Sequence, residues 1–363
     1  MRLCLALLLA AGCSSEVIYP ATGGGTVTNP GGNVGDWIQA TSNLTGMDSE
    51  CGDMSFVSAR PDRDELIAGI ARDGLWSLAN GATTWTHLGT AAGSVTITNR
   101  TSSIVYDPAN PERYWESGTY NDPAILRTDD GGQTFVALGN ATHSDSVSVD
   151  FSDPNRQTLL AGGHENSVFW RSTDGGQTWA NIYGSLPGVA GYASSPVILD
   201  TRTFLLGTYN NDSGSGIFRS TDGGNSWTRV FTTGVRSKPL FASDGNIYWG
   251  IDRDGGIERS TDQGATWTNV VSAGIVATTQ GGPSLLELPD GRFAALGERT
   301  IIVSRDHGAN WTAVGPTFPF APVGLVYSKF RKAFLIWHFE CSFSGQTVAA
   351  DSILATPFDY QTE

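Results

Sequence analysis

Three of the chain's five histidines could work with a nearby carboxylate in the connections between strands: His143 before Asp145, His164 beside Glu165, and His338 before Glu340. An imidazole next to a carboxylate is the usual means of moving a proton near neutral pH. Glu298 is a further carboxylate. Arg72, Arg100, Arg236, Lys238, Arg253 and Arg299, with Tyr192, Tyr209 and Asp252, could hold a polar or acidic ligand. Two chemistries use such a set. Paired carboxylates hydrolyse glycosidic bonds, whereas His and Tyr as acid and base, with Arg neutralising a uronate, cleave them by elimination. As a strand, Trp337-His338-Phe339-Glu340-Cys341 would put imidazole and carboxylate on one side. Its spacing matches no tetrahedral zinc pattern, so no metal is expected there, and no motif calls for a cofactor.

The elements that must position these groups are announced by a repeated turn. It reads RTDDGGQTF at 127–135, RSTDGGQTW at 171–179, RSTDGGNSW at 219–227, RSTDQGATW at 259–267 and VSRDHGANW at 303–311, after a worn copy, SLANGATTW, at 77–85. Taking Asn80, Asp129, Asp174, Asp222, Asp262 and Asp306 as equivalent gives intervals of 49, 45, 48, 40 and 44 residues. A period of that size means one supersecondary unit per repeat. Each aspartate is expected to accept hydrogen bonds from its own turn, a structural role, and each closing aromatic to pack between units.

First-strand equivalents such as MSFVSAR, SSIVYDP, SVSVDFS and VGLVYS recur seven times, one more than the turns. The last unit, 322–363, stops before a fourth strand, and DWIQATSNLT at 36–45 resembles the strand that follows each turn. The pattern predicts an all-β, seven-bladed β-propeller whose last blade is closed by the N-terminal strand, with six or eight blades as alternatives. Residues 37–363 would form this one domain.

The repeated turns closely resemble the Asp box, or BNR repeat, shared by sialidases, xyloglucan-degrading glycoside hydrolases, sortilin-type receptors and photosystem assembly factors. That resemblance implies a propeller and leaves activity open, because enzymes and binding proteins both carry the turn. It also implies that function gathers on the face holding the connections from strand two to three and from strand four to the next blade. All the candidate groups above fall in those connections. A sialidase is disfavoured: the nearest match to its first-strand motif, Ser58-Ala59-Arg60-Pro61, sits at the opposite end of that strand. Xyloglucanases of this type join two propellers around a cleft, and this chain has one. The expectation is a propeller that recognises a glycan, with hydrolase or lyase chemistry in its axial pocket; the alternative is a non-catalytic propeller with a protein partner. The formal charge of −14 makes nucleic acid an unsuitable partner.

The N-terminus, MRLCLALLLAAGCSS, has a basic residue, a short apolar run and small residues before Cys13, the pattern of a secretory signal. Its end resembles a bacterial lipobox, which implies removal of residues 1–12 and lipidation of Cys13. Residues 13–36 would then tether the propeller about 25 Å from a membrane that it does not span. The setting is the bacterial cell envelope, on the outer membrane, facing the periplasm or the exterior. Only Cys51 and Cys341 remain in the body, and in an oxidising compartment one disulfide between them would latch the ring closure; two free thiols are the other reading. Thiol titration of the unfolded, unreduced mature protein is expected to find neither Cys51 nor Cys341 reactive; two titrating thiols would refute the bridge.

Overall fold

The computed structural model describes residues 36–45, 47, 54–164, 168–188, 190–210, 213–252, 255–271, 273–276, 283–338 and 352–362. Within them lie seven four-stranded antiparallel sheets, the seven blades of a β-propeller. Blade 2 is typical: Arg100–Tyr106, Tyr114–Thr119, Ile125–Thr128 and Val136–Ala137 follow one another from the axis outward. Blade 7 joins Gly324–Ser328, Ala333–His338 and Ser352–Pro357 to Ile38–Gln39 from the other end of the chain. Both the blade number and this closure agree with the expectation from sequence. Cys13, Cys51, Cys341, the proposed signal and the proposed tether up to residue 35 lie outside the described residues. No helix among the described residues is long and apolar enough to cross a membrane.

Alternation along segments such as SSIVYDP reads as strands buried on one face. The second strands are instead buried on both, as in Tyr114–Thr119, where every residue is buried. The reason is that each sheet is sandwiched between two others, so alternate side chains serve different neighbours. In Phe204–Tyr209, Phe204 and Leu206 pack toward blade 3, whereas Leu205 packs toward blade 5. In Ala333–His338, Phe334 and Ile336 join blade 6, and Leu335 and Trp337 join blade 1.

The repeated turns fasten these seams. In blade 3, Asp174 Oδ1 accepts the Thr178 N–H at 2.9 Å and the Ser172 hydroxyl at 2.8 Å, while Asp174 Oδ2 accepts the Thr178 hydroxyl at 2.6 Å. Two consecutive residues take positive φ, Gly175 and Gly176 at 73° and 90°. The first position admits Gln263 and His307, both at φ 55, at the steric cost a side chain meets there. Trp179 then buries itself against blade 2, its indole N–H donating to the Leu138 carbonyl at 3.0 Å.

The turn carboxylate of blade 2 is Asp130, not Asp129. Asp130 Oδ1 accepts the Thr134 N–H at 2.9 Å and the Thr128 hydroxyl at 2.7 Å. Asp129 faces outward and pairs with Arg113 and Arg127. Two adjacent aspartates made the register ambiguous; counting back from the closing aromatic resolves it, since Asp130 precedes Phe135 by the same interval as Asp174 precedes Trp179. The first two intervals therefore become 50 and 44.

At the closure, Ile38 pairs with Ala355 and Gln39 with Leu354. Trp37 is 1% exposed, sits in the seam between blades 6 and 7, and donates its indole N–H to the Thr317 carbonyl at 3.0 Å. It thus does for blade 7 what Trp179 does for blade 3. Asn43 carries the closure on to blade 1 through paired hydrogen bonds with the Trp85 backbone, at 3.1 and 2.7 Å.

Two predictions arise from these contacts. Trp37→Ala should cost about 3–5 kcal/mol in denaturant unfolding, and a loss below about 1 kcal/mol would show that the N-terminal strand is not what holds the ring shut. Hydrogen bonds from Thr178 and from Thr266 hold Asp174 and Asp262 each down to about 2. An unfolded carboxyl titrates near ~3.9, so the stability these turns supply is complete above about pH 4 and is lost as pH falls toward about 2. The urea midpoint should fall through that window. The double variant Asp174→Asn, Asp262→Asn should flatten the fall, and an unchanged slope would assign the acid sensitivity to other carboxylates.

Candidate functional site

The inner strands of blades 1 to 4 each carry a register shift near the end where they begin. In blade 3 the shift falls between Ser144 and Ser146, so Asp145 is the extra residue. A bulge re-aims the side chain it carries. Asp145, only 1% exposed, turns to His164 at the end of the neighbouring strand Leu159–Gly163, with Oδ1 2.7 Å from Nδ1. The pair is braced by the His164 backbone N–H, which donates to the His143 carbonyl at 2.9 Å.

The other ring nitrogen, His164 Nε2, lies 3.0 Å from the Tyr120 hydroxyl. With Asp145 ionised and accepting from Nδ1–H, Nε2 is left to accept the Tyr120 proton; this tautomer is assigned from the hydrogen bonds. Tyr120 follows the blade 2 strand Tyr114–Thr119 and takes φ 57, and His143 takes φ 49. Arg72 and Asn210, which come just after the second strands of blades 1 and 4, are left-handed too, at φ 67 and 65, so the turn at Tyr120 belongs to the repeat. The Tyr120 ring stands edge-on to both His143 and His164, with centroids 5.8 and 5.3 Å away. Tyr120 and His143 are half-buried, so a buried carboxylate leads through a nearly buried imidazole to a phenol that solvent can reach.

Blades 4 and 5 continue this ground. Tyr209, 6% exposed, stands edge-on to Tyr192 at 5.4 Å and carries the Arg236 guanidinium 4.9 Å from its ring centre. Burial, then the charge of Asp145, raises the Tyr209 phenol far above its ordinary range, while Arg236 pulls the other way; Asp252 adds to the rise. Asp145, Tyr209, Arg236 and Asp252 therefore share one electrostatic neighbourhood. Arg100 is buried where it opens the inner strand of blade 2. Lys238 reaches inward from blade 5 to Ser103 of blade 2.

The other candidates stand apart from the Asp145–His164–Tyr120 chain. His338 stacks on Phe320 at 5.0 Å in blade 7 and bonds the Ala321 carbonyl through Nδ1 at 3.0 Å. Arg72, Glu298 and Arg299 are exposed on blades 1 and 6. Glu165, Arg253 and Glu340 lie outside the described residues. Trp115, Trp249 and Trp337 are core residues, so they offer no stacking surface to a ligand. Tyr120 escaped the sequence reading. Its signal was faint: a phenol directly before the Asn121-Asp122-Pro123 turn, with nothing local to show the left-handed backbone that aims it. Among the described residues, no group of three or more His, Cys, Asp and Glu is placed to hold a metal ion.

No protein-family model matches the chain. A stretch of 113 residues is 32% identical to a xyloglucanase from Paenibacillus sp; it is 27% of this chain and spans only 11% of that enzyme. YCF48, solved with a D1 peptide bound, is similar at TM-score 0.55 and 14% identity, over 90% of this chain and 96% of its own. The GH74 xyloglucanase of Xanthomonas campestris is similar at TM-score 0.53 and 18% identity, over 88% of this chain and 53% of its own. The extracellular domain of a one-component system from B. thetaiotaomicron reaches TM-score 0.60 at 12% identity, over 89% of this chain and 40% of that one. At these identities the likeness is one of fold: a seven-bladed propeller like those of GH74 enzymes, YCF48 and sensor domains.

Proposed function

We propose that this propeller recognises an acidic glycan at the mouth formed by blades 2 to 5 and cleaves it by elimination, working as a lipid-anchored protein of the bacterial envelope. The observation that carries this reading is the Asp145–His164–Tyr120 chain. Tyr120 passes its proton to His164, and Asp145 stabilises the imidazolium that results. The phenolate takes the proton from C5 of a uronate, the electron pair forms a C4=C5 double bond, and the C4–O bond breaks. The re-formed Tyr120 phenol then gives that proton to the leaving oxygen, and the His164 imidazolium returns its own proton to the phenolate, which restores the starting state. Arg236, held over the Tyr209 ring, neutralises the uronate carboxylate as charge builds there. The xyloglucanase match supports a carbohydrate ligand in general terms.

The test is incubation of the protein with uronate-containing polysaccharides and with neutral xyloglucan, following ultraviolet absorbance of the unsaturated product, new reducing ends and glycan-array binding. Unsaturated ends are expected from the acidic polymers, with Tyr120→Phe lowering the rate by about 10²–10⁴-fold while array binding persists. Glycan binding without a double bond would reduce the site to a recognition module. Silence in every assay would instead support the protein-binding reading.

A further inference from the structure

Only three of the chain's twenty-two basic side chains are lysines: Lys238, Lys329 and Lys332. Lys329 and Lys332 are exposed, and Lys332 is paired with Asp359 at 2.7 Å. Lys238 occupies a different setting. The residue before it, Ser237, takes φ 67 and is pinned there: its hydroxyl bonds Ser284 Oγ at 2.7 Å and its carbonyl accepts the Trp249 indole N–H at 3.0 Å. From that kink Lys238 crosses the propeller axis. Its Nζ donates to Ser103 Oγ in blade 2 and lies 3.5 Å from the Val147 carbonyl in blade 3.

Both partners are uncharged. An ammonium has three N–H donors and does best against a carboxylate, whereas a neutral amine satisfied by two acceptors keeps a free electron pair. Burial pushes the Lys238 amine down to about 7. An arginine could not lose its proton there, whereas a lysine can. The residues that meet at the amine each follow a residue of the proposed mouth in the chain: Lys238 is two residues past Arg236, Val147 two past Asp145, and Ser103 three past Arg100.

We propose that Lys238 is a carbonyl-capture site, whose unprotonated amine adds to the aldehyde carbon of a small open-chain carbonyl compound, a sugar reducing end included. The C–N bond forms as the carbonyl oxygen takes a proton, giving a carbinolamine. Loss of water yields the imine, and hydrolysis returns amine and aldehyde, so no oxidant or reductant is consumed. The Ser103 hydroxyl is placed to relay the proton. This site does not depend on elimination at Tyr120; either chemistry stands if the other fails.

The full chain is treated at about pH 7.5 with limiting glycolaldehyde and cyanoborohydride, and the reduced adducts are mapped by peptide mass spectrometry. Lys238 should be modified at least about tenfold faster than Lys329 and Lys332, because burial leaves its amine largely unprotonated at that pH. Lys238→Met and Lys238→Arg should each abolish the fast fraction. Labelling that follows exposure, with Lys329 and Lys332 ahead and Lys238 bare, overturns the proposal, and the wild-type map decides this even if neither variant folds.

Discussion

Each inner sheet of this protein must satisfy two neighbours at once, and the rest of the structure depends on that constraint. Alternate residues of a strand belong to different seams: Ala294 and Leu296 to the seam with blade 7, Phe293 and Ala295 to the seam with blade 5. No blade can bury both faces alone, so stability is a property of the closed ring. The closing contacts therefore matter out of proportion to their size. Ile38–Gln39 is two residues long, yet with Trp37 it completes the seam that blade 6 would otherwise expose.

The same constraint explains what could be read from the sequence. The repeated turns are local chemistry, written within a short stretch by residues such as Ser172, Asp174, Gly176 and Thr178, so they fixed the period and exposed the incomplete seventh unit. The lack of a fourth strand in the last unit pointed to the N-terminal strand for the same reason. What was illegible is whatever depends on three dimensions. Adjacent Asp129 and Asp130 look alike in the sequence, and only the hydrogen bonds to Thr128 and Thr134 separate them. Tryptophans at 115, 249 and 337 could have lined a ligand groove, but a face that sequence alternation marks as outward is a seam in the ring.

The candidate site was half legible. His143, Asp145 and His164 were found by composition and by their place in the connections, yet His164 was read beside Glu165 in the chain. In space its partner is Asp145, across a strand pair and through a bulge. Tyr120 comes from another blade altogether. A site assembled from the ends of strands in separate repeats leaves no spacing motif, because each repeat contributes one or two residues.

The bulge also gives the strongest argument that the Asp145–His164 pair is more than packing. In blades 1 and 2 the extra residue is serine, Ser55 and Ser102, and its hydroxyl donates to backbone carbonyls: Ser55 to Gly69, Ser102 to Asp145. A serine in that position satisfies itself with groups the fold already provides. An ionised aspartate cannot donate and, nearly buried, needs a donor of its own. Blade 3 supplies one in His164, and blade 2 then supplies Tyr120 to the far side of that ring. Seam packing requires none of these three substitutions, since the neighbouring repeats do without them. Their joint presence at one bulge, under the mouth that also gathers Arg236 and Tyr209, is what a proton-transfer site needs and what a fastening device does not.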